Sequence, residues 1–267
     1  MSARADLSGL EPAEINALAR DPRAPDADRA AARRALRAAA ADRLAAARRA
    51  VEGAPAPEPE DAPEDAAPEP APTVIRSTKF SEIAAEYEAM FHAARPRPAH
   101  RREIEAVVGR VLRGRAAYQA IEAEIGAPWA VVGVLHGLEA GFDFSRHLHN
   151  GDPLTARTRR VPAGRPATGT PPFTWEESAA DALRGHGLHR IEDWTLARTL
   201  YEIERFNGFG YRYRRAPSPY LWSFSTQYTS GKYVKDGVYD PNAVSRQAGA
   251  ATILKAMIAA GDAPALA

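Results

Sequence analysis

The sequence contains no cysteine, which excludes disulfide bonds, thiolate nucleophiles and cysteine-ligated zinc and leaves the redox compartment open. Lysine is also scarce, because arginine carries the positive charge at all but four positions, which are Lys79, Lys232, Lys235 and Lys255. With so much alanine and proline beside it, this arginine bias indicates a GC-rich genome rather than phosphate recognition.

Long apolar runs are absent as well. No stretch of about 18 or more consecutive apolar residues occurs, so we predict no membrane-spanning segment. The N-terminus, Met-Ser-Ala-Arg-Ala-Asp-Leu-Ser, has no apolar core followed by a cleavage site and is not expected to be a secretory signal. We therefore expect synthesis in the cytoplasm, so that any work outside it depends on another agent for delivery.

The formal net charge of +1 conceals an asymmetry between two parts of the chain. Residues 1–77 carry 11 basic and 14 acidic side chains, whereas residues 78–267 carry 24 and 20. The modest positive balance of the second part suits an anionic partner such as a cell-wall polymer. It is too small to indicate nucleic acid, which is not expected as a partner.

Composition divides the 267 residues into three parts. Residues 1–52 form an Ala/Arg-rich tail, and its run from Asp26 to Val51 is interpreted as a solvated helix or one that binds a protein partner. Residues 53–77 are predicted to be a disordered linker, since 53–72 holds seven prolines, six acids and no basic residue. Residues 78–262 are the predicted folded domain.

The folded domain is predicted to be mainly α. Apolar residues recur at helical spacing over 79–92, 99–113, 114–125, Trp129–Phe144, 174–185, 190–205 and 241–259. Between 146 and 172, repeated Gly and Pro predict a long loop or a small β-hairpin, with Thr155, Thr158 and Val161 as its strand-like residues. The chain is again loop-rich from Asn207 to about 240.

One carboxylate, Glu139, lies on the apolar face of the predicted helix that ends near Phe144. Leu135, Leu138 and Phe142 are three or four residues from Glu139 and so share its side of the helix. Poor solvation there raises the pKa of a carboxyl group, and the negative end of the helix dipole acts in the same direction. A carboxylic acid that keeps its proton near neutral pH suits general acid catalysis. A partly exposed glutamate on a surface helix is the alternative.

The loop-rich stretch after residue 206 combines aromatic and polar side chains. Asn207, Tyr211, Tyr213, Tyr220, Trp222, Tyr228 and Tyr233 lie among Gly, Ser and Thr rather than on an amphipathic helix. Aromatic rings cover the apolar faces of sugars while amide and hydroxyl groups bind their edges, so the cluster predicts a saccharide groove. The alternative for Tyr220 and Trp222 is a place in the core beneath irregular loops.

Metal-ligand residue types also occur near Glu139. His136-x-x-Glu139 puts two of them on one helical face, and His147-x-His149 with Asp152 adds three more. However, no His-Glu-x-x-His motif is present, and His136 can instead be a hydrogen-bond partner of Glu139. We therefore expect no metal or other cofactor. No Gly-x-Ser-x-Gly segment anchors Ser-His-Asp chemistry, and no Gly-rich phosphate loop follows a strand.

Two segments resemble a known group of enzymes. Leu135-His-Gly-Leu-Glu-Ala-Gly-Phe-Asp-Phe is similar to the catalytic E-S-x-F/L-D/N segment of the lysozyme-like superfamily, which includes phage endolysins, goose-type lysozymes, lytic transglycosylases and related chitinases. Phe206-Asn-Gly-Phe-Gly-Tyr211 is similar to their Y-N-G/A-x-G sugar-binding segment. The resemblance covers about 78–260. Ala140 departs from the pattern, because Ser or Thr is common there.

The resemblance implies an α+β lysozyme-like fold, with a small β-hairpin after the catalytic helix and Glu139 as general acid. Asp152 is then the first candidate for a second carboxylate, Glu176 is the alternative, and Thr158 is the candidate for holding the attacking water. The competing interpretation of Asp152 is that it is a turn residue. The competing interpretation of Glu176 is that it complements the dipole at the start of a helix. The implied sugar-binding residues are Asn207, Tyr211, Tyr220, Trp222 and Tyr228.

We therefore expect a peptidoglycan-degrading glycosidase, of muramidase or endolysin type, that cleaves glycan strands of the bacterial cell wall after release or delivery by a phage particle. An inverting hydrolase needs a second carboxylate about 6.5–9.5 Å from the acid, and a retaining one needs it at about 5–5.5 Å. Without one, lytic transglycosylase chemistry stays open. The alternatives are a non-catalytic cell-wall-binding or virion structural protein on the same fold, and a chitinase-type glycosidase.

Overall fold

The computed structural model of the chain describes residues 74–264, together with residues 18, 25, 28, 31 and 32. The chain divides into two compact units, at residues 1–60 and 61–267. The predicted tail helix, Asp26 to Val51, lies outside the described residues except at positions 28, 31 and 32. The predicted linker lies outside them up to residue 73. The four residues before the predicted start of the folded domain, 74–77, are described, and Val74 is buried.

Eight α-helices and one small antiparallel sheet make up residues 74–264, which confirms the prediction of a mainly α chain. The helices are α1 (Phe80–Ala93), α2 (Arg101–Arg113), α3 (Arg115–Ile125), α4 (Trp129–Ala140), α5 (Trp175–Gly185), α6 (Leu196–Asn207), α7 (Pro219–Trp222) and α8 (Ala250–Ala259). The sheet pairs β1 (Lys232–Lys235) with β2 (Val238–Asp240), and Tyr233 faces Tyr239 in its register. None of the helices among the described residues is both long and apolar enough to cross a membrane.

Helix α4 is the centre of this fold. It is buried on every side from Trp129 to His136, as a helix that is hydrophobic all round must be, and it packs against α2, α3, α6 and α8. Gly133 allows this close packing, because a Cβ there would lie 2.7 Å from Val111 and 2.8 Å from Tyr118. The functional glutamate predicted from sequence is therefore carried by the most constrained element of the domain.

The end of α4 comes earlier than the predicted Phe144. The helix ends at Ala140 because Gly141 adopts a left-handed conformation, φ 60°, which caps its last carbonyl groups. Phe142 then turns back, also at positive φ, and places its ring over Gly137, where a Cβ would come within 2.3 Å of the ring. Glu139 consequently lies in the last turn of α4, at the negative end of the helix dipole.

The stretch after α4 is a long loop, the first of the two predicted forms, and the alternative of a small β-hairpin is wrong. Residues 141–174, here called the excursion, form turns with one isolated bridge between Arg146 and Pro153. Proline cannot donate to a strand ladder, and the backbone amides of Arg159 and Arg160 donate to the Asp152 carboxylate rather than to a neighbouring strand. The two-stranded sheet lies instead after α7.

Side-chain hydrogen bonds tie the excursion to α5. The two ring nitrogens of His147 lie 2.8 Å from Ser178 Oγ and 2.8 Å from the Ala156 carbonyl oxygen. His149 Nε2 lies 2.8 Å from Asp181 Oδ2, and Arg165 donates to both oxygens of the same carboxylate. Burying polar groups without partners is costly, so these bonds fix the excursion where no regular backbone ladder exists.

A second polar cluster fixes the segment 74–77 on the helices. The guanidinium of Arg212 donates to Glu204, at 2.9 Å, and to Glu86, at 2.8 Å, and both Arg212 and Glu204 are 2% exposed. Tyr87 donates its hydroxyl hydrogen to Glu204, and Arg212 also donates to the carbonyl oxygen of Ile75. The start of the described domain is therefore held by an interior ion network.

Candidate functional site

Glu139 is the centre of the candidate site. Its side chain is partly buried in the last turn of α4, and Tyr220 donates a hydrogen bond to its Oε1 atom across 2.6 Å. Burial raises the pKa of the Glu139 carboxyl group, and the hydrogen bond from Tyr220 opposes this to a lesser extent. The expected direction of the pKa, inferred from the apolar neighbours, agrees with this geometry.

Tyr220 reaches Glu139 because the short helix α7 is fixed against α8. A Cβ on Gly249 would lie 2.3 Å from the carbonyl oxygen of Leu221, so only glycine permits this close backbone approach. The carbonyl oxygen of Ser223 accepts hydrogen bonds from the amide of Gly249 and from the hydroxyl of Thr252. Sequence analysis assigned Tyr220 to sugar binding and missed that it is the hydrogen-bond partner of the proposed acid.

His136, one turn before Glu139, faces a different environment. It is fully buried among aromatic rings, and its Nδ1 lies 2.9 Å from the hydroxyl of Tyr118. The rings of Phe144 and Trp175 lie 4.5 Å and 4.7 Å from its own. The sequence alone allowed His136 to be a hydrogen-bond partner of Glu139. In the structure its described hydrogen bond is with Tyr118.

Stability should fall in mild acid because of His136. Burial lowers its pKa from 6.5 to about 4, with the Asp143 backbone and charge acting in the opposite direction. Below about pH 6.5, His136 therefore binds a proton in the unfolded chain but not in the folded chain. The free energy of unfolding consequently decreases by up to roughly 3 kcal/mol between pH 6.5 and pH 4. Urea unfolding at several pH values measures this slope.

The variant His136→Gln should flatten that pH dependence, since glutamine still offers a polar partner to Tyr118 but does not titrate. His92→Gln is the matched control, because His92 is exposed on α1. An unchanged slope in His136→Gln, or an equal change in the control, would contradict this assignment.

Asp152 occupies a turn in the excursion. Its Oδ2 atom accepts hydrogen bonds from the amides of Arg159, at 2.8 Å, and Arg160, at 3.3 Å, and from the side chain of Asn150, at 3.2 Å. The hydrogen bond from the Arg159 amide is the main cause that lowers the pKa of this carboxyl group. The neighbouring Gly151 does lie beside the end of α4, since its Cβ would be 3.7 Å from the Glu139 carbonyl oxygen. The described bonds of Asp152 are those of a turn residue.

The hydrogen bonds of Thr158 stay within the excursion. Thr158 is buried, donates its hydroxyl hydrogen to the Pro162 carbonyl oxygen at 2.5 Å and accepts from the amide of Arg165 at 2.9 Å. Its single hydroxyl hydrogen is therefore already used within the excursion. Glu176 lies in the first turn of α5, where a carboxylate complements the helix dipole.

The predicted sugar-binding residues are split between surface and core. Asn207 is exposed at the end of α6, and Tyr220 contacts Glu139. Tyr211, Trp222 and Tyr228 are buried, at 8%, 2% and 4% exposure. They are buried because this stretch has little regular structure and must supply its own core. For Trp222 this is the alternative prediction, a place in the core beneath irregular loops.

A pocket of about 280 Å³ lies close to these segments and was not predicted from sequence. Arg97, His100, Phe224 and Tyr228 line it, together with Ser223, Thr229, Val244 and Ser245. The segment 245–247 leads from this pocket to α4, where Gln247 donates to the carbonyl oxygen of Leu138 at 3.5 Å. Arg97 lies more than 120 positions before the other segment of the pocket, residues 223–245. No local sequence motif predicts such a long-range contact.

Metal-ligand residues do not come together in this fold. Within residues 74–264 and the five isolated positions, no group of three or more His, Asp or Glu side chains is arranged to hold a metal ion. Both nitrogens of His147 and Nε2 of His149 are hydrogen-bonded within the excursion and to α5.

Comparison with protein-family models, with curated proteins and with solved structures finds no match for the chain.

Proposed function

We propose that this protein is a glycosidase that cleaves glycan strands of bacterial peptidoglycan, with Glu139 as its general acid. The observation that carries the proposal is the state of Glu139, a partly buried carboxyl group whose pKa is raised by burial and whose described hydrogen bond comes from a phenol. Such a group retains a proton for a leaving-group oxygen, which is the first requirement of glycosidic bond cleavage. The protein would reach its substrate after release or delivery by a phage particle.

Within this class, we favour lytic transglycosylase chemistry. Glu139 gives its proton to the glycosidic oxygen as the bond from that oxygen to the sugar C1 breaks. The resulting carboxylate then takes the proton of the 6-hydroxyl of the same sugar while O6 bonds to C1, which yields a 1,6-anhydro ring and restores the acid. What supports this choice is that the Asp152 carboxylate is engaged by backbone amides of the excursion.

Tyr220 has a defined part in this scheme. Its hydroxyl group donates to Oε1 of Glu139, so it stabilises the carboxylate that forms when the proton leaves. Burial and the charge of Glu139 raise the pKa of Tyr220 well above its ordinary value, so that it remains a hydrogen-bond donor throughout the neutral range. We assign Tyr220 the role of positioning residue for Glu139.

The runner-up function is a non-catalytic cell-wall-binding or virion structural protein. It is favoured by the burial of Tyr211, Trp222 and Tyr228, which gives those rings little surface for stacking on sugars. In that case the Glu139–Tyr220 bond would simply fasten α7 to α4. A chitinase-type glycosidase would instead need Glu176 as its second acid, and that residue lies in the first turn of α5.

Mass spectrometry of muropeptides released from purified peptidoglycan tests the proposal. We expect products that end in 1,6-anhydro sugars, about 18 Da lighter than hydrolysis products because no water is added. Products with reducing ends would replace the transglycosylase assignment by hydrolysis. The absence of any released fragment would contradict the glycosidase proposal and favour the structural role.

A further inference from the structure

The pocket lined by Arg97 contains polar atoms that the fold itself does not satisfy. Ser223 is fully buried, and its Oγ atom has no hydrogen-bond partner among the described residues. Nδ1 of His100 is also buried without one, and it lies 3.5 Å from a Glu103 carboxylate oxygen in a geometry that makes no hydrogen bond. Unsatisfied buried polar groups are rare in folded proteins, and their presence around a cavity indicates a place for a polar ligand.

The charge of the pocket comes from Arg97. Its guanidinium donates to two backbone carbonyl oxygens, those of Ser225 at 3.1 Å and Tyr228 at 3.4 Å. Among the described residues, no carboxylate forms an ion pair with it. A guanidinium has five N–H donors, so part of this group remains to bind an anion, and its planar fork matches a carboxylate.

The pocket also contains aromatic rings. His100 and Phe224 stack on each other, with ring centres 3.8 Å apart and planes 8° from parallel, and Tyr228 adds a third ring. Phe224 and Tyr228 are buried, so the half-buried His100 is the ring that a ligand can contact. Phe224 holds a left-handed backbone conformation, φ 67°, which is costly for a residue with a Cβ and is maintained by its surroundings. The volume of about 280 Å³ is close to the lower end of the range of about 300–1,000 Å³ for ligand pockets.

The backbone around the pocket is also paired through main-chain atoms. The amide of Arg97 donates to the carbonyl oxygen of Phe224, and the amide of Thr226 donates to that of Arg95. An isolated bridge joins Pro96 and Ser225 between them. Replacement of the Arg97 side chain removes its bonds to the carbonyl oxygens of Ser225 and Tyr228 but keeps this main-chain pairing.

We propose that this pocket binds a sugar-sized organic acid, with the carboxylate on Arg97, its ring beside His100 and a hydroxyl group on Ser223. The size of the cavity, the guanidinium without a carboxylate partner and the unsatisfied hydroxyl each point to that class of ligand. The inference does not depend on Glu139 acting as an acid, because binding requires no cleavage.

Titration of the full chain with matched small molecules, followed by two-dimensional NMR, tests this site. D-Glucuronate and D-glucose differ in whether the ring carries a carboxylate, and glucose 6-phosphate and inorganic phosphate are the phosphate probes. We expect glucuronate to shift the amide signals of Thr229 and Ser245 saturably in the millimolar range, and to bind about tenfold or more tightly than glucose.

Two variants and a control localise the effect. Arg97→Gln should weaken glucuronate binding about tenfold or more, and Val244→Trp should block the pocket from its exposed wall, where Val244 is 56% exposed. Arg246→Gln removes the same charge from an exposed position on the same loop and should change binding less than about twofold.

Three outcomes would overturn the inference. They are equal binding of glucuronate and glucose, tighter binding of either phosphate probe, and undiminished binding in both pocket variants. None of them bears on cleavage by Glu139, so failure here is distinguishable from failure of the proposed function.

Discussion

Replacement of Glu139 by glutamine is expected to abolish the lysis of outer-membrane-permeabilised cells. The side chain keeps its size and can still accept a hydrogen bond from Tyr220, but it has no proton to give to a glycosidic oxygen. Loss of general acid catalysis typically costs about 10²–10⁴-fold, which would leave no measurable fall in turbidity. Lysis at the wild-type rate would show that Glu139 is not the acid.

The same variant should fold normally. The pKa of Glu139 is raised in the folded chain, so its contribution to stability is complete below the unfolded pKa and is lost as pH rises through the folded value. At neutral pH the wild-type protein has therefore lost that contribution, and Glu139→Gln should be at least as stable. Thermal unfolding at pH 7 measures this. Glu88→Gln, on the exposed face of α1, is the control for the loss of one carboxylate.

Tyr220→Phe separates positioning from proton donation. It removes the bond that lowers the pKa of Glu139, so the acid should keep its proton to higher pH. We expect the alkaline limb of the pH–activity profile to move upward, with part of the activity retained. A purely structural role of Tyr220 would change stability and leave the position of that limb where it was.

Replacement of Arg212 by methionine is expected to cause the largest loss of stability. Arg212 and Glu204 are almost fully buried, and removal of one partner leaves the other charged group uncompensated in the interior. Breaking such pairs costs about 3–5 kcal/mol, a large share of the roughly 5–15 kcal/mol that stabilises a typical domain. Urea unfolding at pH 7 should show a midpoint far below that of the wild-type protein.

The pH dependence of this loss identifies its cause. Burial already raises the pKa of Glu204, and Arg212 opposes that shift, so removal of Arg212 raises the pKa further. The contribution of a group with a raised folded pKa is present at low pH and lost as pH rises through that value. The variant should therefore approach the wild-type stability in mild acid and depart from it at neutral pH.

A second substitution and a surface pair complete the test. Arg212→Met combined with Glu204→Gln should recover part of the stability, because the buried Glu204 carboxylate is gone and only Glu86 has lost its ion-pair partner. Arg101→Met removes an exposed pair with Glu105 on α2 and should cost less than about 1 kcal/mol. A comparable loss in Arg101→Met, or no loss in Arg212→Met, would refute the importance of the interior network.

Local apolar spacing was enough to place most helices. The predicted 79–92, 99–113, 114–125 and 174–185 lie within two residues of α1, α2, α3 and α5 at both ends. The predicted 190–205 began too early, since α6 starts at Leu196 after Thr195, whose side chain accepts from the amide of Arg198. The predicted 241–259 also began too early, because the backbone of Gly249 packs on α7 and α8 starts only after it.

The sequence also predicted apolar neighbours for Glu139, with a partly exposed glutamate on a surface helix as the alternative. The structure has Glu139 partly buried in the last turn of a helix that is buried on every side up to His136. The assignment of its partner was not foreseeable. Tyr220 is 81 positions away, and its contact depends on the close approach of Gly249 to α7.

The sequence by itself determined the helical segments, the apolar surroundings of Glu139 and the irregular character of the two interrupting stretches, because these follow from spacing and residue type. Only the tertiary structure decided that Asp152 binds backbone amides, that Trp222 lies in the core, and that Arg97 meets Phe224 at a pocket. The reason is physical: helix formation depends on neighbours within a few residues, whereas polar partners and cavities arise where distant segments pack together.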